Sequence, residues 1–192
     1  MKPTVQQKLH GWFLLCSIGA RTRLNKQLKK GLKNQMSEPQ ETSDEPVLFY
    51  EAKFYCLSNF SAFSIFDGGY QWPTVEHYYQ GCKFSQSRLA TQLMHSVGTC
   101  SSAHDAKKLA RANSEYVRPD WNDVKLQVME GALCLKLGQH SYVKKMLLET
   151  GDRKIIENSH KDSFWGWGPD RKGESHLGRL WMKLLEELRA ST

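Results

Sequence analysis

A chain of 192 residues, 40% hydrophobic and 24% charged, is long enough for one domain with a sizeable core, and its balance is not that of a disordered or fibrous protein. The formal charge is +7, but eight basic residues and no acid fall within positions 1–35; removing those eight from 27 leaves 19 basic against 20 acidic residues in 36–192. The body therefore lacks the cationic excess of a protein that grips long nucleic acid by its phosphates, although a local basic patch is compatible with that count.

Five cysteines (Cys16, Cys56, Cys82, Cys100, Cys134) form an odd set with no CxxC spacing, and none lies near a histidine at zinc-ligand spacing. Reduced thiols in a cytosolic type of protein are the expected state. The seven histidines are scattered without an HxxxH or HExxH pattern, so no metal and no cofactor is expected.

The first segment has three readings. Trp12–Ala20 (WFLLCSIGA) is apolar but too short to span a bilayer. Met36 is a candidate alternative start, because the charge changes sign there and Ser37–Pro46 is acidic and proline-bearing, like a disordered linker. In order, the readings are a dispensable extension or alternative start, a mitochondrial presequence, and a secretory signal. We therefore expect an extension over residues 1–45 and the functional domain over 46–192. The expected location is cytoplasmic, or mitochondrial if residues 1–35 direct import, and no membrane partner is expected.

Val47–Tyr55 is aromatic and alternating enough for a strand or hairpin arm. Loop and short strand follow, with Asp67-Gly-Gly69 as a tight turn. Pro73-Thr74 opens a helix, with Thr74 as cap and Glu76 in its first turn. A second helix is predicted from Ser85 to Val97. A third, capped by Ser101-Ser102, runs to Ala112. A fourth covers Trp121–Leu137, ends at Gly138, and has Val124, Val128, Ala132 and Leu135 as its core stripe. Tyr142–Glu149 is a fifth, with Gly151 past its end. Lys154–Glu157 is a short strand. A glycine-rich loop leads to a final amphipathic helix, Leu177–Arg189. The predicted class is α+β: a helix-dominated single domain with a small β-sheet packed by helices.

The stretch Gly69–Phe84 (GYQWPTVEHYYQGCKF) carries the strongest functional signal. Positions i, i+4 and i+7 of a helix stack on one stripe, which aligns Glu76, Gln80 and Lys83 beside the aromatic flank of Trp72, Tyr78 and Tyr79. One reading is the wall of a binding site. The other is an acid that favours the helix N-terminus and a solvated lysine. If desolvated, the Lys83 amine is a nucleophile able to form an imine with ring-opened ribose; it can also bind phosphate or pair with Glu76.

Three further groups are candidates for substrate binding. Asn59 offers a donor and an acceptor to sugar hydroxyls, and asparagine is also a common turn residue. Trp121 and Lys125, at i and i+4, place an aromatic plane and a cation together, to hold a base and a phosphate or as a core tryptophan with a snorkelling lysine. In the loop Phe164–Gly178, Trp165 and Gly166 precede Asp170 and Arg171, and glycines permit close backbone approach. The helix start beyond, with Arg171 and Lys172, suits a phosphate.

From about Phe49 to Leu188 the chain resembles the NADAR, or YbiA-like, family. The resemblance rests on LSNF (57–60), WPTVEHYYQGCKF (72–84), RPDWNDVKLQVMEGAL (118–133) and FWGWGPDRKGESHLGRLWMKL (164–184), in that order. It covers none of residues 1–45. It implies hydrolysis of a base–ribose N-glycosidic bond, in ribosylaminopyrimidine phosphates of the riboflavin pathway or in ADP-ribosylated guanine, free or in nucleic acid. It also favours a site role for Glu76 and Lys83. Cleavage of such a bond passes through an oxocarbenium-like centre that a carboxylate can stabilise, attack, or supply with activated water.

The chain departs from a common family pattern, WGDG: Trp167 stands in place of the acid, and His176 where asparagine is frequent. Asp162 and Asp170 are the nearby acids that can compensate. The departure keeps a second function class open, a non-catalytic ADP-ribose or nucleotide-binding module.

Overall fold

The computed structural model describes residues 45–50 and 52–190. The readings of the N-terminal extension lie outside the described residues. In chain order the elements are β1 (Val47–Phe49), a 3-10 helix (Ala52–Leu57), β2 (Ile65–Asp67), β3 (Tyr70–Trp72), α1 (Val75–Cys82), α2 (Ala90–Gly98), α3 (Ala103–Ala112), a 3-10 turn (Ser114–Tyr116), α4 (Trp121–Gln139), α5 (Ser141–Leu148), β4 (Ile155–Glu157) and α6 (His176–Ala190). The class is α+β and helix-dominated, as expected. The strands form two separate pairs, β1–β4 and β2–β3. By backbone proximity these elements fall into two compact units, Asn59–Gln139 and residues 45–58 with 140–190.

In the first unit, β2 and β3 form an antiparallel hairpin with Ile65 opposite Trp72 and Asp67 opposite Tyr70. Its two turn residues, Gly68 (φ 58°) and Gly69 (φ 90°), both lie in the left-handed region, which is why Asp67-Gly-Gly was legible as a turn. Thr74, in extended backbone, ends the hairpin and caps α1, its Oγ1 accepting from the His77 amide at 3.3 Å. Every residue of α1 is buried, and the helix packs against α2, α3 and α4. Gly81 lets the Trp72 indole lie against the helix; a Cβ there would stand 2.5 Å from the ring. The helix α2 begins five residues later than its predicted start at Ser85, because the chain turns through 84–89, with Ser87 Oγ accepting from the Leu89 amide.

The helix α4 runs through Gly138 to Gln139, whose side chain clasps the backbone of Phe66 in β2: Nε2 donates to the carbonyl and Oε1 accepts from the amide, each at 2.8 Å. Its buried face is Met129, Ala132, Leu133, Lys136 and Leu137, not the stripe centred on Val124 and Val128, which are half-buried. A lysine inside the true stripe hid it. Lys136 has no exposed surface, and its amine donates to Ser61 Oγ at 2.7 Å with the Phe63 ring 5.3 Å away.

In the second unit, β1 and β4 pair in parallel, Val47 opposite Ile155 and Phe49 opposite Glu157. The predicted strand over Val47–Tyr55 stops at Phe49; the chain then coils into the 3-10 helix, which buries Phe54 and Leu57. The helix α6 packs on β4, and its Trp181, fully buried, donates from Nε1 to the Leu57 carbonyl at 2.9 Å. At Gly178 a Cβ would overlap the Ile155 carbonyl oxygen, so glycine sets the closeness of α6 to β4.

Candidate active site

The first unit gathers Asn59, Glu76, Gln80, Lys83 and Trp121 around α1. The loop before the hairpin docks on the start of α1: the Asn59 carbonyl accepts from the Glu76 amide at 3.1 Å, satisfying a donor that the helix itself cannot. Glu76, in the first turn and 4% exposed, accepts at Oε1 from Gln80 Nε2 at 2.6 Å. The predicted stripe is therefore real, and its first two members are joined. Gln80 Oε1 and Asn59 Oδ1 are buried with no hydrogen-bond partner among the described residues. Buried amide oxygens are rarely left so, and each is an acceptor available to a bound hydroxyl or amine.

Lys83 follows at the C-terminal cap of α1. Its amine stands 5.6 Å from the Tyr79 ring centre and 5.7 Å from that of Trp121, and the two rings meet edge to face at 4.9 Å. Burial pushes the Lys83 pKa below the usual lysine range; the charge of Glu76 opposes that shift and the charge of Lys107 adds to it. Glu76 and Lys83 thus feel one another.

Arg118, which the sequence analysis did not single out, holds this arrangement from behind. Its amide donates to the Lys83 carbonyl at 2.8 Å. Its guanidinium, 3% exposed, grips both carboxylate oxygens of Asp120, immediately before α4 and Trp121. Hydrogen bonding to Arg118 keeps the Asp120 carboxyl below its usual pKa. The i, i+2 spacing of an arginine and an aspartate around Pro119 was the available signal.

Other candidates fall elsewhere. Trp72 is fully buried against Gly81, Tyr70 and Tyr78. Lys125 bonds Asn122 Oδ1 at 3.3 Å on the open side of α4. Trp165, Gly166, Asp170 and Arg171 belong to the second unit. There Trp165 is half-buried and stacks edge to face on Phe164 at 5.0 Å. Gly166 allows the chain to pass the Glu157 carbonyl and Ser159. Asp170 is exposed and caps the Lys172 amide at 3.1 Å, while Arg171 (φ 58°) is exposed and lies 5.1 Å from the Trp167 ring.

The start of α6 does not present the open amides that suit a phosphate. The amides of Ser175, His176 and Leu177 donate to the carbonyls of Gly166, Phe164 and Trp165 at 2.9, 3.0 and 3.2 Å. Asp162 is also engaged, accepting from the Phe164 and Trp165 amides. Trp167, in the place of the common family acid, donates from Nε1 to Asn158 Oδ1 at 2.9 Å. Glu157, which the sequence analysis treated only as the end of a strand, is a buried carboxylate beside this loop.

A family model described as the NADAR domain matches residues 48–189. The chain belongs to the NADAR domain family. It is 40% identical over 147 residues to an N-glycosidase of Nostoc punctiforme, covering 74% of this chain and 92% of that protein. It is 38% identical over 132 residues to the N-glycosidase YbiA of Escherichia coli, covering 69% and 80%. A riboflavin biosynthesis protein of Vibrio vulnificus is 38% identical over 147 residues, which is 76% of this chain and 39% of that longer protein. The NMR structure of Escherichia coli YbiA matches with a TM-score of 0.68 and 34% identity over 84% of this chain and 92% of that one. NADAR membership and the α+β fold are thus shared with relatives that are named N-glycosidases. Among the described residues, no helix is long and apolar enough to cross a membrane.

Proposed function

We propose that this NADAR chain hydrolyses the N-glycosidic bond between a base and a ribose, that its substrate is a ribosylaminopyrimidine phosphate of the riboflavin pathway, and that Glu76 is the group beside C1′. The observation that carries the reading is the buried Glu76–Gln80 pair with Lys83 on the same stripe. The names of the relatives, N-glycosidase and riboflavin biosynthesis protein, support the reaction and the substrate class.

The chemistry follows from the placement. As the C1′–N bond breaks, its electron pair leaves with the base and positive charge develops on the sugar. A carboxylate held in a low-dielectric setting attracts that charge more strongly than one in water. Gln80 fixes one Glu76 oxygen, so little reorganisation is needed as the charge appears. Water then supplies hydroxyl to C1′ and a proton to the departing nitrogen. The buried oxygens of Gln80 and Asn59 support this reading as acceptors for hydrogen bonds from the sugar or base.

ADP-ribosylated guanine is the second substrate class, sharing the same scissile bond. The rival reading is a non-catalytic ADP-ribose or nucleotide-binding module, favoured by Trp167 in place of the family acid. Incubating the full chain with a ribosylaminopyrimidine phosphate and with ADP-ribosylated guanosine, and following base release by chromatography, separates the three. Turnover of the first and not the second is the expected result. Binding without turnover establishes the module instead. Glu76→Gln keeps the acceptor for Gln80 and removes the charge; it lowers base release by about 10²–10⁴-fold with an unchanged circular dichroism spectrum. Undiminished release by that variant refutes the role of Glu76.

A further inference from the structure

Gln80 fixes one oxygen of Glu76, and its own oxygen is what that contact leaves over. A carboxylate oxygen accepts, so the amide turns Nε2 toward Glu76, at 2.6 Å. Oε1 then faces away, and it is buried with no hydrogen-bond partner among the described residues, on a residue 2% exposed. Turning the amide over gives no relief, because two acceptors would then meet at that distance. Covalent geometry bounds the position of Oε1. In an amide the C=O and C–N bonds, about 1.23 and 1.33 Å long, share one carbon, which puts Oε1 no farther than about 5 Å from the gripped carboxylate oxygen. Asn59 Oδ1 is a second buried acceptor without a hydrogen-bond partner among the described residues, on the residue whose carbonyl receives the Glu76 amide.

A buried acceptor left unpaired costs free energy that a donor on a ligand recovers. A carboxylate or a fully ionised phosphate brings no donor, whereas a hydroxyl does. With C1′ about 3–3.5 Å from the carboxylate, as a reacting centre is held, the hydroxyl on the adjoining ring carbon comes within reach of an acceptor so close to that carboxylate. Bond breaking favours the same group. Positive charge at C1′ makes the 2′-hydroxyl a stronger donor, so its hydrogen bond tightens in the transition state. A donor on the base is weakened instead, since the base takes the electron pair. We propose that Gln80 determines specificity for the sugar: Nε2 holds Glu76 while Oε1 accepts a hydrogen bond from the ribose 2′-hydroxyl, and the site selects ribose over 2-deoxyribose. This rests on the reading of Glu76 beside C1′, but the choice of sugar is measurable in binding, without turnover.

The test is equilibrium binding of ribose 5-phosphate and 2-deoxyribose 5-phosphate to the full chain, read by tryptophan fluorescence, alongside base release from a ribosylaminopyrimidine phosphate and its 2′-deoxy counterpart. The parent chain is expected to bind ribose 5-phosphate about tenfold more tightly than the deoxy sugar, the scale of a buried acceptor left unpaired. Equal affinity of the parent for the two overturns the proposal without any variant. Gln80→Lys keeps an N–H donor for Glu76 and has no acceptor, and Gln80→Met has neither; in both, the preference is expected to fall to about one. Asn59→Ala is expected to weaken both sugars alike. A Gln80 variant that weakens both sugars by the same factor shows a merely structural side chain and overturns the assignment, as does a preference lost in Asn59→Ala and kept in Gln80→Lys. A deoxy sugar forms its cation more readily without any enzyme, so turnover is compared as the ribo-to-deoxy ratio of kcat/KM, parent against Gln80→Lys, with a fall of about tenfold expected. If the preference depends on Gln80 but no base is released, the specificity role stands and the hydrolase reading falls. If base is released and Gln80→Lys leaves both ratios unchanged, the hydrolase reading stands and the specificity role falls.

Discussion

The helix α1 and the loop 158–175 are both rich in polar residues set among aromatics, and both hold residues that the sequence offers as site candidates. Their hydrogen bonds differ in kind. In the loop, several donors and acceptors are taken up by the loop itself: Asp162 holds two backbone amides, Asp170 holds a third, and amides at the start of α6 are closed by the carbonyls of Gly166, Phe164 and Trp165, while the Arg171 guanidinium is exposed. Around α1, the amide oxygens of Gln80 and Asn59 are buried without hydrogen-bond partners among the described residues, and Lys83 has a pKa pushed down by burial. A polar group whose bonds are satisfied internally stabilises a shape, whereas one left buried and unsatisfied costs free energy that a ligand can recover. On this ground we propose α1, rather than the loop, for the chemistry.

The sharpest division is expected from the Glu76→Gln loss of base release without loss of fold, against a glycine change in the second unit. Gly178→Ala forces a methyl into the Ile155 carbonyl, and a cost of about 3 kcal/mol or more is expected, read as a fall in the urea midpoint. A stable Gly178→Ala protein with impaired turnover would instead put function in the α6 region and blur the contrast.

Lys83→Met tests the α1 side from the opposite direction. Because the folded pKa of Lys83 is lowered, the unfolded chain binds more protons between the lowered value and the ordinary lysine range, so this group's contribution to stability rises with pH across that window. Below the window its penalty is fully present. The variant is therefore expected to melt higher than the parent at neutral pH while losing activity, with the difference in melting temperature shrinking as pH climbs through the window. A lower melting temperature at neutral pH would show that the aromatic contacts of Lys83 outweigh its desolvation. The smallest effect is expected from Trp167→Asp, which reinstates the common family acid. Base release should stay near the parent value, since Glu76 carries the reaction; a rise of about tenfold, equivalent to 1.4 kcal/mol off the barrier, would move part of the chemistry to the loop.

Much of the fold was legible because local rules and the tertiary outcome agree. Thr74 caps α1 and Ser102 caps α3 through their own side chains, and only glycines comfortably supply the two positive φ angles at Asp67-Gly-Gly69. The failures have equally specific causes. Val47–Tyr55 alternates like a strand, but β4 pairs only with Val47–Phe49. The stripe of α4 was displaced because Lys136 occupies a core position that a lysine rarely takes. The burial of Trp72 is not legible from its neighbours in sequence, because it depends on the missing side chain of Gly81 nine residues on.

The sequence by itself determined the helical periodicity that aligns Glu76, Gln80 and Lys83, the caps and turns that bound α1, and the family motifs, since these depend on neighbours within a few residues. Only the tertiary structure decided which polar groups are buried and which of those are satisfied. It brought Arg118 to the backbone of Lys83, Phe60 to Lys107 and the Asn59 carbonyl to the Glu76 amide, contacts between residues 17 to 47 positions apart that no local pattern encodes. Desolvation and Coulomb coupling depend on such distances in space, and they are the ground on which we propose α1 rather than the loop for the chemistry.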